Sequence, residues 1–361
     1  MIIFAISLLG IRYYKEEAQF VEYTLSQIHS ITGGTLVGDG SVNITGVGSL
    51  DGAGPGDISL VKEEELVEKA LGTKAAALVT HRNIPELGKP LIVADNPFQS
   101  FIKFLQALAE QNTVQPGGIH PLASVSKKAS VGKDTSIGAY SVVEEGAVIG
   151  SQVTLHPLVY VGRNTRVGDN TVIYPQVTIR ESVTIGRSVV IQSGTVIGGD
   201  GFGYLQVEER HVKIPQVGTI EIGDDVEIGC NVTIDRATMD KTIIARGVKI
   251  DNHSHVAHNV IIGEDSMLIA YAKIAGGAVI GKNVMLAEDV GVTDHAVIGE
   301  GSTVGGGANV YKSIPPGSVV WGSPAKPIME EKRLQALLKK LPEMRDTLKE
   351  LSKKFLKEKG C

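Results

Sequence analysis

Three histidines lie close together near the middle of the chain and are the residues best suited to proton transfer. His253, His255 and His258 all fall within Ile250–Asn259. Imidazole changes its charge near neutral pH, so a histidine can take a proton from a reacting group and return it later. This segment is therefore the first candidate for a catalytic site.

The same three histidines must also be considered as a metal site, because neutral imidazole is a common zinc ligand. They crowd a single short turn, however, and this spacing favours individual roles over joint coordination of one ion. We expect no metal here. Zinc binding stays open as an alternative that metal analysis of the purified protein would decide.

A second group of candidate residues lies in a glycine-rich loop. The segment Gly198–Pro215 carries Asp200, Phe202, Gly203 and Tyr204 close together. Loops on a rigid scaffold commonly carry binding groups, and two aromatic side chains among glycines are costly in a loop without a role. We expect these four residues to bind substrate.

The scaffold that must hold these residues shows an aliphatic side chain at every sixth position. The pattern runs for thirteen consecutive hexads from Ile119 to Ile191, resumes at Ile222, and continues from Ile244 to Val310. An amphipathic helix would instead need a period of about 3.6. A short strand, a corner and a return after six residues indicate a parallel β-helix of stacked coils. The expected fold class is therefore mainly β, and the glycine-rich loop interrupts the repeat.

The rest of the chain divides around this repeat. We predict an N-terminal extension at residues 1–22, an α/β domain of nucleotide-binding type at 23–115, the β-helix at 116–322 and a C-terminal extension of α-helices at 323–361. Pro342 is expected to break this extension or to lie in the first turn of a further helix. The extension has apolar residues at amphipathic helical spacing, and this apolar stripe needs a partner surface. In the α/β domain, strand and helix patterns alternate. The predicted strands are Thr35–Val37, Asp57–Val61, Ala75–Val79 and Pro90–Val93, and the predicted helices are Leu25–Ile31, Glu63–Leu71 and Asn96–Gln111.

Composition narrows the possible partners. The net charge of −5 gives no general reason to expect nucleic-acid binding. The apolar segment Ile2–Ile11 is too short to span a bilayer, so we expect no integral membrane segment. Only Cys230 and Cys361 are present, which fits a reducing, cytoplasmic location. The last 32 residues carry ten Lys or Arg against six Asp or Glu, which suggests an acidic partner there.

The repeat resembles the hexapeptide-repeat family, in which three hexads form one triangular, left-handed coil of 18 residues. That resemblance implies about nine coils, stacked about 4.8 Å apart. Several further motifs resemble the UDP-3-O-acylglucosamine N-acyltransferases of lipid A biosynthesis. They are Asp200-Gly201-Phe202-Gly203-Tyr204, Lys213-Ile214-Pro215-Gln216, Val226-Glu227-Ile228-Gly229, Thr233-Ile234-Asp235-Arg236 and the run Ile250-Asp251-Asn252 through Val256-Ala257-His258-Asn259-Val260.

This resemblance assigns roles to individual residues. It implies that His258 is the general base, that His295 is a second active-site histidine, and that the Gly276 N–H stabilises the oxyanion. Asp251, Asn252 and His255 join the four loop residues as expected substrate contacts. In the phase of the hexads, Gly276 follows His258 by one 18-residue coil, and Asp294 with His295 beside it follows by two.

The resemblance also implies a reaction and its partners. A homotrimer would transfer a 3-hydroxyacyl group from acyl carrier protein to the 2-amino group of UDP-3-O-(3-hydroxyacyl)glucosamine, a UDP-sugar lipid precursor. The active sites would lie between neighbouring solenoids. No separate cofactor is expected, because phosphopantetheine arrives on the carrier protein. The basic residues expected to meet this acidic protein are Lys332, Arg333, Lys339, Lys340 and Arg345.

One segment departs from the family pattern. The family holds uracil between two aromatic rings of its N-terminal domain, with an asparagine nearby. The corresponding residues here are Leu60, Glu63 and Leu66, so apolar contact would have to replace stacking.

Three other functions remain open from sequence. The related O-acyltransferase of the same pathway lacks a large domain before its repeats and has aspartate where this chain has Asn259. A trimeric, zinc-dependent hydratase resembling carbonic anhydrase would hold its metal through three histidines between subunits. A non-catalytic scaffold would need none of these residues.

Overall fold

The computed structural model describes residues 22–111 and 117–358. The chain divides into two compact units, residues 1–114 and 115–361. Apart from residue 22, the predicted N-terminal extension lies outside the described residues, as do the predicted domain boundary at 115 and Cys361.

The N-terminal unit alternates short strands and helices, as its sequence pattern predicts. The four predicted strands and three predicted helices are present, and three further strands of two residues each are found. The elements are β1 Tyr23–Thr24, α1 Leu25–Thr32, β2 Thr35–Val37, β3 Asn43–Ile44, β4 Gly46–Val47, β5 Asp57–Leu60, a 3-10 turn Glu64–Leu66, α2 Val67–Leu71, β6 Ala77–Thr80, a 3-10 turn Pro85–Leu87, β7 Leu91–Val93 and α3 Pro97–Gln111.

A small sheet organises this unit. Its strand order is β2-β7-β6-β5-β4, and only the β2–β7 pair is antiparallel. Helix α1 begins at a capping box, in which the Thr24 hydroxyl accepts from the Gln27 N–H and the Gln27 side chain accepts from the Thr24 N–H. Ile28 of α1 and Phe104 of α3 are fully buried in the same core cluster as Ile58 of β5.

The second unit is built from short strands at intervals of six residues. Within the described residues these are β8 Ser124–Val125 through β19 Val190–Ile191, one strand every six residues, then β20 Val196–Asp200, β21 Tyr204–Val207, β22 Arg210–Lys213, β23 Thr219–Ile222, β24 Glu227–Ile228, β25 Thr233–Arg236, β26 Lys241–Ile244, β27 Lys249–Ile250 through β37 Asn309–Val310, again every six residues, β38 Val319–Trp321, β39 Lys326–Pro327 and helix α4 Ile328–Glu358.

The strands of this unit stack into three sheets of eleven, ten and nine strands. Strand neighbours within a sheet are parallel, except where β39 closes the stack against β38. Equivalent residues one coil apart lie side by side, so Val256 pairs with both Ile234 and Ile274. All three side chains point inward and are fully buried, which is why an aliphatic residue recurs at this position. The mainly β, stacked-coil fold class is confirmed.

The corners of the coils require an unusual backbone conformation. Residues in the fourth position of many hexads have positive φ, as in His253 at 60° and Asn259 at 59°. Asparagine and aspartate tolerate this left-handed region better than other non-glycine residues, and many of these corners carry one of them. The corner conformation fixes where the third residue of each hexad, such as His258, leaves the ladder.

The repeat is interrupted twice before it resumes at β27. After β20 the chain leaves the ladder and forms the antiparallel hairpin β21–β22 (Tyr204–Lys213), which confirms that the glycine-rich segment is an insertion. After Ile234 the next inward aliphatic residue is Ile244, and strand β25 runs two residues further than a regular strand. Both interruptions lie beside His258, as described below.

The C-terminal extension differs from the prediction of more than one helix. It is a single helix, α4, that continues through Pro342. Proline removes one intrahelical hydrogen bond and usually bends a helix, but 31 residues of α4 remain helical.

Candidate active site

His258 is held in one orientation by its neighbour Asn259. The His258 Nδ1 lies 3.1 Å from the Asn259 Oδ1. That oxygen also accepts from the Thr238 N–H, and the amide nitrogen of Asn259 donates to the Met239 carbonyl. The amide can satisfy both backbone groups in only one orientation, so His258 must present its Nδ1–H to the oxygen. The Nε2 atom then carries the lone pair and can accept a proton.

Two glycines enclose the imidazole of His258. A Cβ atom at Gly276 would lie 2.7 Å from the ring Cε1 and 2.8 Å from Nε2. A Cβ atom at Gly201, in the connection between strands β20 and β21, would lie 2.6 Å from the Cβ and 2.8 Å from the Cδ2 of the same histidine. Both distances are too short for a real side chain. The lack of a side chain at Gly201 and Gly276 is therefore what allows the ring its position.

Gly276 also offers a free hydrogen-bond donor beside this ring. Its carbonyl accepts from the His295 N–H at 3.0 Å, but among the described residues nothing accepts from the Gly276 N–H. A donor of this kind can stabilise negative charge that develops on a carbonyl oxygen.

His258 and Gly276 line an open groove of about 460 Å³ along the ten-stranded sheet. Phe202, Asp235 and His255 line the same groove near His258. Its floor is mostly apolar, and the further lining residues are Ala257, Lys273, Ile274, Ala275, Gly291, Val292, Thr293, Asn309, Val310 and Tyr311. The groove therefore pairs a proton acceptor and a free N–H with an apolar surface.

His255 is the first residue of strand β28, which leads into the corner that carries His258. Its Nδ1 lies 2.7 Å from the Thr233 hydroxyl, and its Nε2 lies 3.8 Å from the Asp235 Oδ2. Burial raises the pKa of the Asp235 carboxyl above its ordinary value, although the nearby charges of His255 and His258 act in the opposite direction.

The hairpin insertion is tied to the solenoid by charged side chains. Asp200 accepts from Lys213 at 2.5 Å and from Arg180 at 3.2 Å. The hydrogen bond from Lys213 holds the pKa of Asp200 below its ordinary value, although partial burial opposes it. Beneath them, the buried Arg236 pairs with Glu181 at 2.9 Å. This network fixes the base of the hairpin next to the groove.

The two aromatic residues of the insertion differ in exposure but lie together. Phe202 is 85% exposed and its ring centroid is 5.0 Å from that of Tyr204. Gly203 packs against the buried amide of Gln216, which accepts from the Thr238 hydroxyl at 2.9 Å. The insertion thus places an exposed aromatic surface at the groove.

Comparison with known proteins identifies the family. Residues 41–107 match the family model described as UDP-3-O-(3-hydroxymyristoyl) glucosamine N-acyltransferase, LpxD, and residues 164–199 match that of the bacterial transferase hexapeptide (six repeats). The UDP-3-O-acylglucosamine N-acyltransferase of Syntrophus aciditrophicus is 44% identical over 92% of this chain and 92% of its own length. The chain belongs to this N-acyltransferase family. It is therefore an acyltransferase, with a hexapeptide-repeat β-helix, of the lipid A pathway.

A second relative of the same family agrees. The UDP-3-O-acylglucosamine N-acyltransferase of Syntrophotalea carbinolica is 46% identical over 92% of this chain and 96% of its own. A solved UDP-N-acetylglucosamine acyltransferase, LpxA, from Bacteroides fragilis aligns with 60% of this chain and 77% of its own at 27% identity and a TM-score of 0.47.

Six residues predicted for the acyltransferase site do not line the groove. Asp200, Gly203 and Tyr204 lie in the neighbouring insertion, and the other three lie elsewhere. His295 is exposed on the corner above Gly277, and it does not line the groove. Asp251 and Asn252 line a second groove, of about 350 Å³, on the eleven-stranded sheet. Their oxygens also accept corner hydrogen bonds, from the Ala270 N–H to Asp251 and from the Cys230 N–H to Asn252. A single subunit of the acyltransferase therefore presents its predicted site residues on two faces.

The residues predicted to contact uridine are only partly brought together. Leu60 and Leu66 line a groove of about 460 Å³ in the N-terminal unit, together with Phe101. Glu63 does not line it and instead pairs with Lys62 at 3.1 Å. The groove is mostly apolar, and its charged lining residues are Lys62, Lys69 and Asp51, of which the last two pair at 2.6 Å.

Helix α4 displays both charge and apolar surface. The five basic residues predicted to meet a carrier protein are exposed on it. So are the apolar side chains predicted to need a partner surface, among them Leu337 at 56% exposure and Leu348 at 64%.

Within the described ranges, no three His, Cys, Asp or Glu side chains are placed so that they could hold a metal ion. No helix in the described part of the chain is long and apolar enough to cross a membrane.

Four residues around His258 and its neighbours were not predicted as site residues. Gly201 belongs to the insertion, Gln216 follows it, Asp235 belongs to the extended strand β25, and Asn259 lies at the corner after His258. The spacing of ten residues from Ile234 to Ile244, where six is the rule, is a signal in the sequence that points to Asp235.

Proposed function

We propose that this acyltransferase moves a 3-hydroxyacyl group from acyl carrier protein to the 2-amino group of UDP-3-O-(3-hydroxyacyl)glucosamine, giving UDP-2,3-diacylglucosamine. The observation that carries this proposal is the free Nε2 of His258 beside the free N–H of Gly276 in an apolar groove. Family membership supports the choice of nucleotide sugar and of nitrogen as the acceptor atom.

The two groups divide the work of the reaction. His258 Nε2 takes a proton from the amine as its nitrogen forms a bond to the thioester carbon. The Gly276 N–H donates to the carbonyl oxygen, which becomes negative in the tetrahedral intermediate. The C–S bond then breaks, and the imidazolium of His258 returns the proton to the leaving thiolate. The phosphopantetheine thiol belongs to the donor substrate, so no separate cofactor is needed.

Asn259 supports both proton transfers. Because its oxygen accepts from Nδ1–H, it holds the tautomer in which Nε2 is the base, and it stabilises the imidazolium that forms later. The chain thus uses a neutral amide at a position where the related O-acyltransferase has a carboxylate.

We propose that the functional unit is a homotrimer whose active sites lie between subunits. The groove with His258 and the groove with Asp251 and Asn252 lie on different sheets of one chain. A cyclic trimer has a heterologous interface, in which one face of a subunit meets a different face of the next. This arrangement would bring the two grooves, and His295 on its exposed corner, to one site.

The remaining surfaces have proposed ligands as well. The basic face of α4 suits the acidic carrier protein, through the lysine and arginine side chains named above. The apolar groove with Leu60 and Leu66 suits the uracil ring, by contact rather than by aromatic stacking. Lys62 and Lys69, which also line this groove, suit the phosphates of the nucleotide.

The test is an acyl-transfer assay with purified protein, UDP-3-O-(3-hydroxyacyl)glucosamine and 3-hydroxyacyl-acyl carrier protein. We expect His258→Ala to lose about 10²–10⁴-fold in kcat, the usual contribution of a general base. His120→Ala, an exposed histidine of the first coil, is the control and should keep full activity. Full N-acyl transfer by a folded His258→Ala protein would overturn the mechanism. Acylation of UDP-N-acetylglucosamine instead would show the related O-acyltransferase activity.

A further inference from the structure

Asp235 occupies a position that the regular repeat does not provide. Strand β25 runs past Ile234 to Arg236, and after a shift of register Asp235 pairs with Gly199 of the neighbouring strand. Residues alternate in direction along this strand, so Ile234 and Arg236 are buried and Asp235 faces the groove. The second interruption of the hexads therefore has the effect of placing a carboxylate near His258.

The Asp235 carboxylate lies in a tight place with few partners. Its side chain is 16% exposed, and one oxygen would lie 3.2 Å from a Cβ atom at Gly199, which as glycine leaves it room. In the described part of the chain, no N–H or O–H donates to the carboxylate. The His255 imidazole forms an ion pair with it when protonated, with its Nε2 3.8 Å from the Asp235 Oδ2.

The permanent cations nearby are engaged elsewhere. Arg236 donates to the Gly198 carbonyl and pairs with Glu181. Lys213 and Arg180 both pair with Asp200 on the neighbouring strand. Lys273, which lines the groove beside His255, pairs with Asp289. The groups left to balance the charge of Asp235 are the two histidines of the groove.

We propose that Asp235 is a positioning residue of the acyl transfer, which fixes His255 and stabilises the positive charge that forms on His258 during the reaction. This rests on the proposed function, in which His258 becomes an imidazolium before the thiolate leaves. A carboxylate that is partly buried interacts more strongly with a new positive charge than one in water.

The electrostatics of the site agree with this role. Burial raises the pKa of Asp235, the neighbouring Asp200 raises it further, and the charges of His255 and His258 lower it. Because the attraction between opposite charges is mutual, an ionised Asp235 stabilises a positive charge that forms beside it during the reaction.

The first test is the rate of acyl transfer as a function of pH in Asp235→Asn. Loss of the carboxylate disfavours the imidazolium, so kcat should fall about tenfold for each pKa unit of lost stabilisation. KM should change little, and the acidic limb of the rate profile should move to lower pH. Asp265→Asn is the matched control, because this exposed carboxylate at a distant corner pairs only with Arg246. Asp235→Glu should bring the acidic limb back toward the wild-type position.

A second measurement does not depend on substrate. Histidine labelled with ¹³C allows the titration of His255 and His258 to be followed by NMR in the wild type and in Asp235→Asn. Both midpoints should move to lower pH in the variant. Unchanged midpoints, or a lower kcat with an unmoved acidic limb, would overturn the proposal and leave Asp235 a structural residue. If the midpoints shift in Asp235→Asn but the wild-type protein shows no N-acyl transfer, the proposed function alone is rejected.

Discussion

At the scale of single residues, the site depends on side chains that are missing as much as on those present. Gly276 and Gly201 leave the space that the His258 ring fills, and Asn259 determines which ring nitrogen carries the lone pair. A catalytic group needs its reacting atom held within a small fraction of an ångström. Here that precision comes from contact with backbone, which has few ways to move.

Gly276→Ala should therefore impair catalysis more than folding. The new methyl group would overlap Cε1 and Nε2 of His258 and push the ring away from its present position. A misplacement of about 1 Å can cost about 10²-fold in rate, so we expect a loss of that order in kcat. Gly117→Ala is the control, since a Cβ atom there meets nothing within 4 Å. Wild-type kcat in Gly276→Ala would show that the ring position is not critical.

The phase of the repeat explains which of these residues could be predicted. Ladder pairing sets residues one coil apart side by side, as in Val256 and Ile274, so the sequence places Gly276 next to His258. The same phase predicts the corner of His295 but not which way its side chain points. Gly201 and Gln216 reach His258 through a hairpin that leaves the ladder, and no periodicity describes that path. Asp235 lies in an irregularly spaced stretch. Where its side chain points depends on how strands β20 and β25 pair, which the spacing alone does not predict.

At the scale of elements, the hairpin β21–β22 depends on an ion pair at its base. Asp200 has a pKa below its ordinary value because Lys213 donates to it, with Arg180 adding to the effect. For a carboxyl with a lowered pKa, the stabilisation is complete above the unfolded value, near 3.8, and is lost as the pH falls through the lower folded value. The hairpin should therefore remain attached throughout the neutral and weakly acidic range.

Asp200→Asn should loosen this hairpin without unfolding the solenoid. Amide hydrogen exchange of residues 204–213, measured by mass spectrometry, should become about two- to fivefold faster, as expected for loss of a partly exposed ion pair. In the wild type, protection corrected for intrinsic exchange should stay constant from pH 7 to about 5. Glu221→Gln is the control, because it removes the pair with Lys241 on another sheet. Equal exchange in Asp200→Asn and wild type would show that packing alone holds the hairpin.

At the scale of the whole molecule, one chain separates two of the residues predicted for its site. His258 lies on the ten-stranded sheet and Asp251 on the eleven-stranded sheet, each with its own groove. Helix α4 meanwhile leaves a row of apolar side chains exposed. The proposed cyclic trimer would account for both features, because it would cover the apolar rows and join different faces of neighbouring subunits.

Mixed trimers test whether the site is shared. His258→Ala and Asp251→Ala subunits should each be nearly inactive alone. If each site takes His258 from one subunit and Asp251 from the next, random mixing in equal amounts restores about one site in four, because the required pair of subunits forms with that probability in a cyclic trimer. N-acyl transfer by the co-expressed and purified mixture should then reach about a quarter of the wild-type rate.

The absence of any recovered activity is equally informative, because Asp251 also stabilises a corner within its own chain. Its carboxylate accepts from the Ala270 and Asn252 N–H groups and so stabilises the corner that precedes His255 and His258. If Asp251 acts only through this corner, each substitution damages the site of the subunit that carries it. Every subunit of a mixed trimer then has a damaged site. Mixing would then give no activity above that of the two parents, although light scattering still finds trimers. Recovery of activity thus indicates that two subunits contribute to each site. No recovery indicates that Asp251 acts on His258 within one chain.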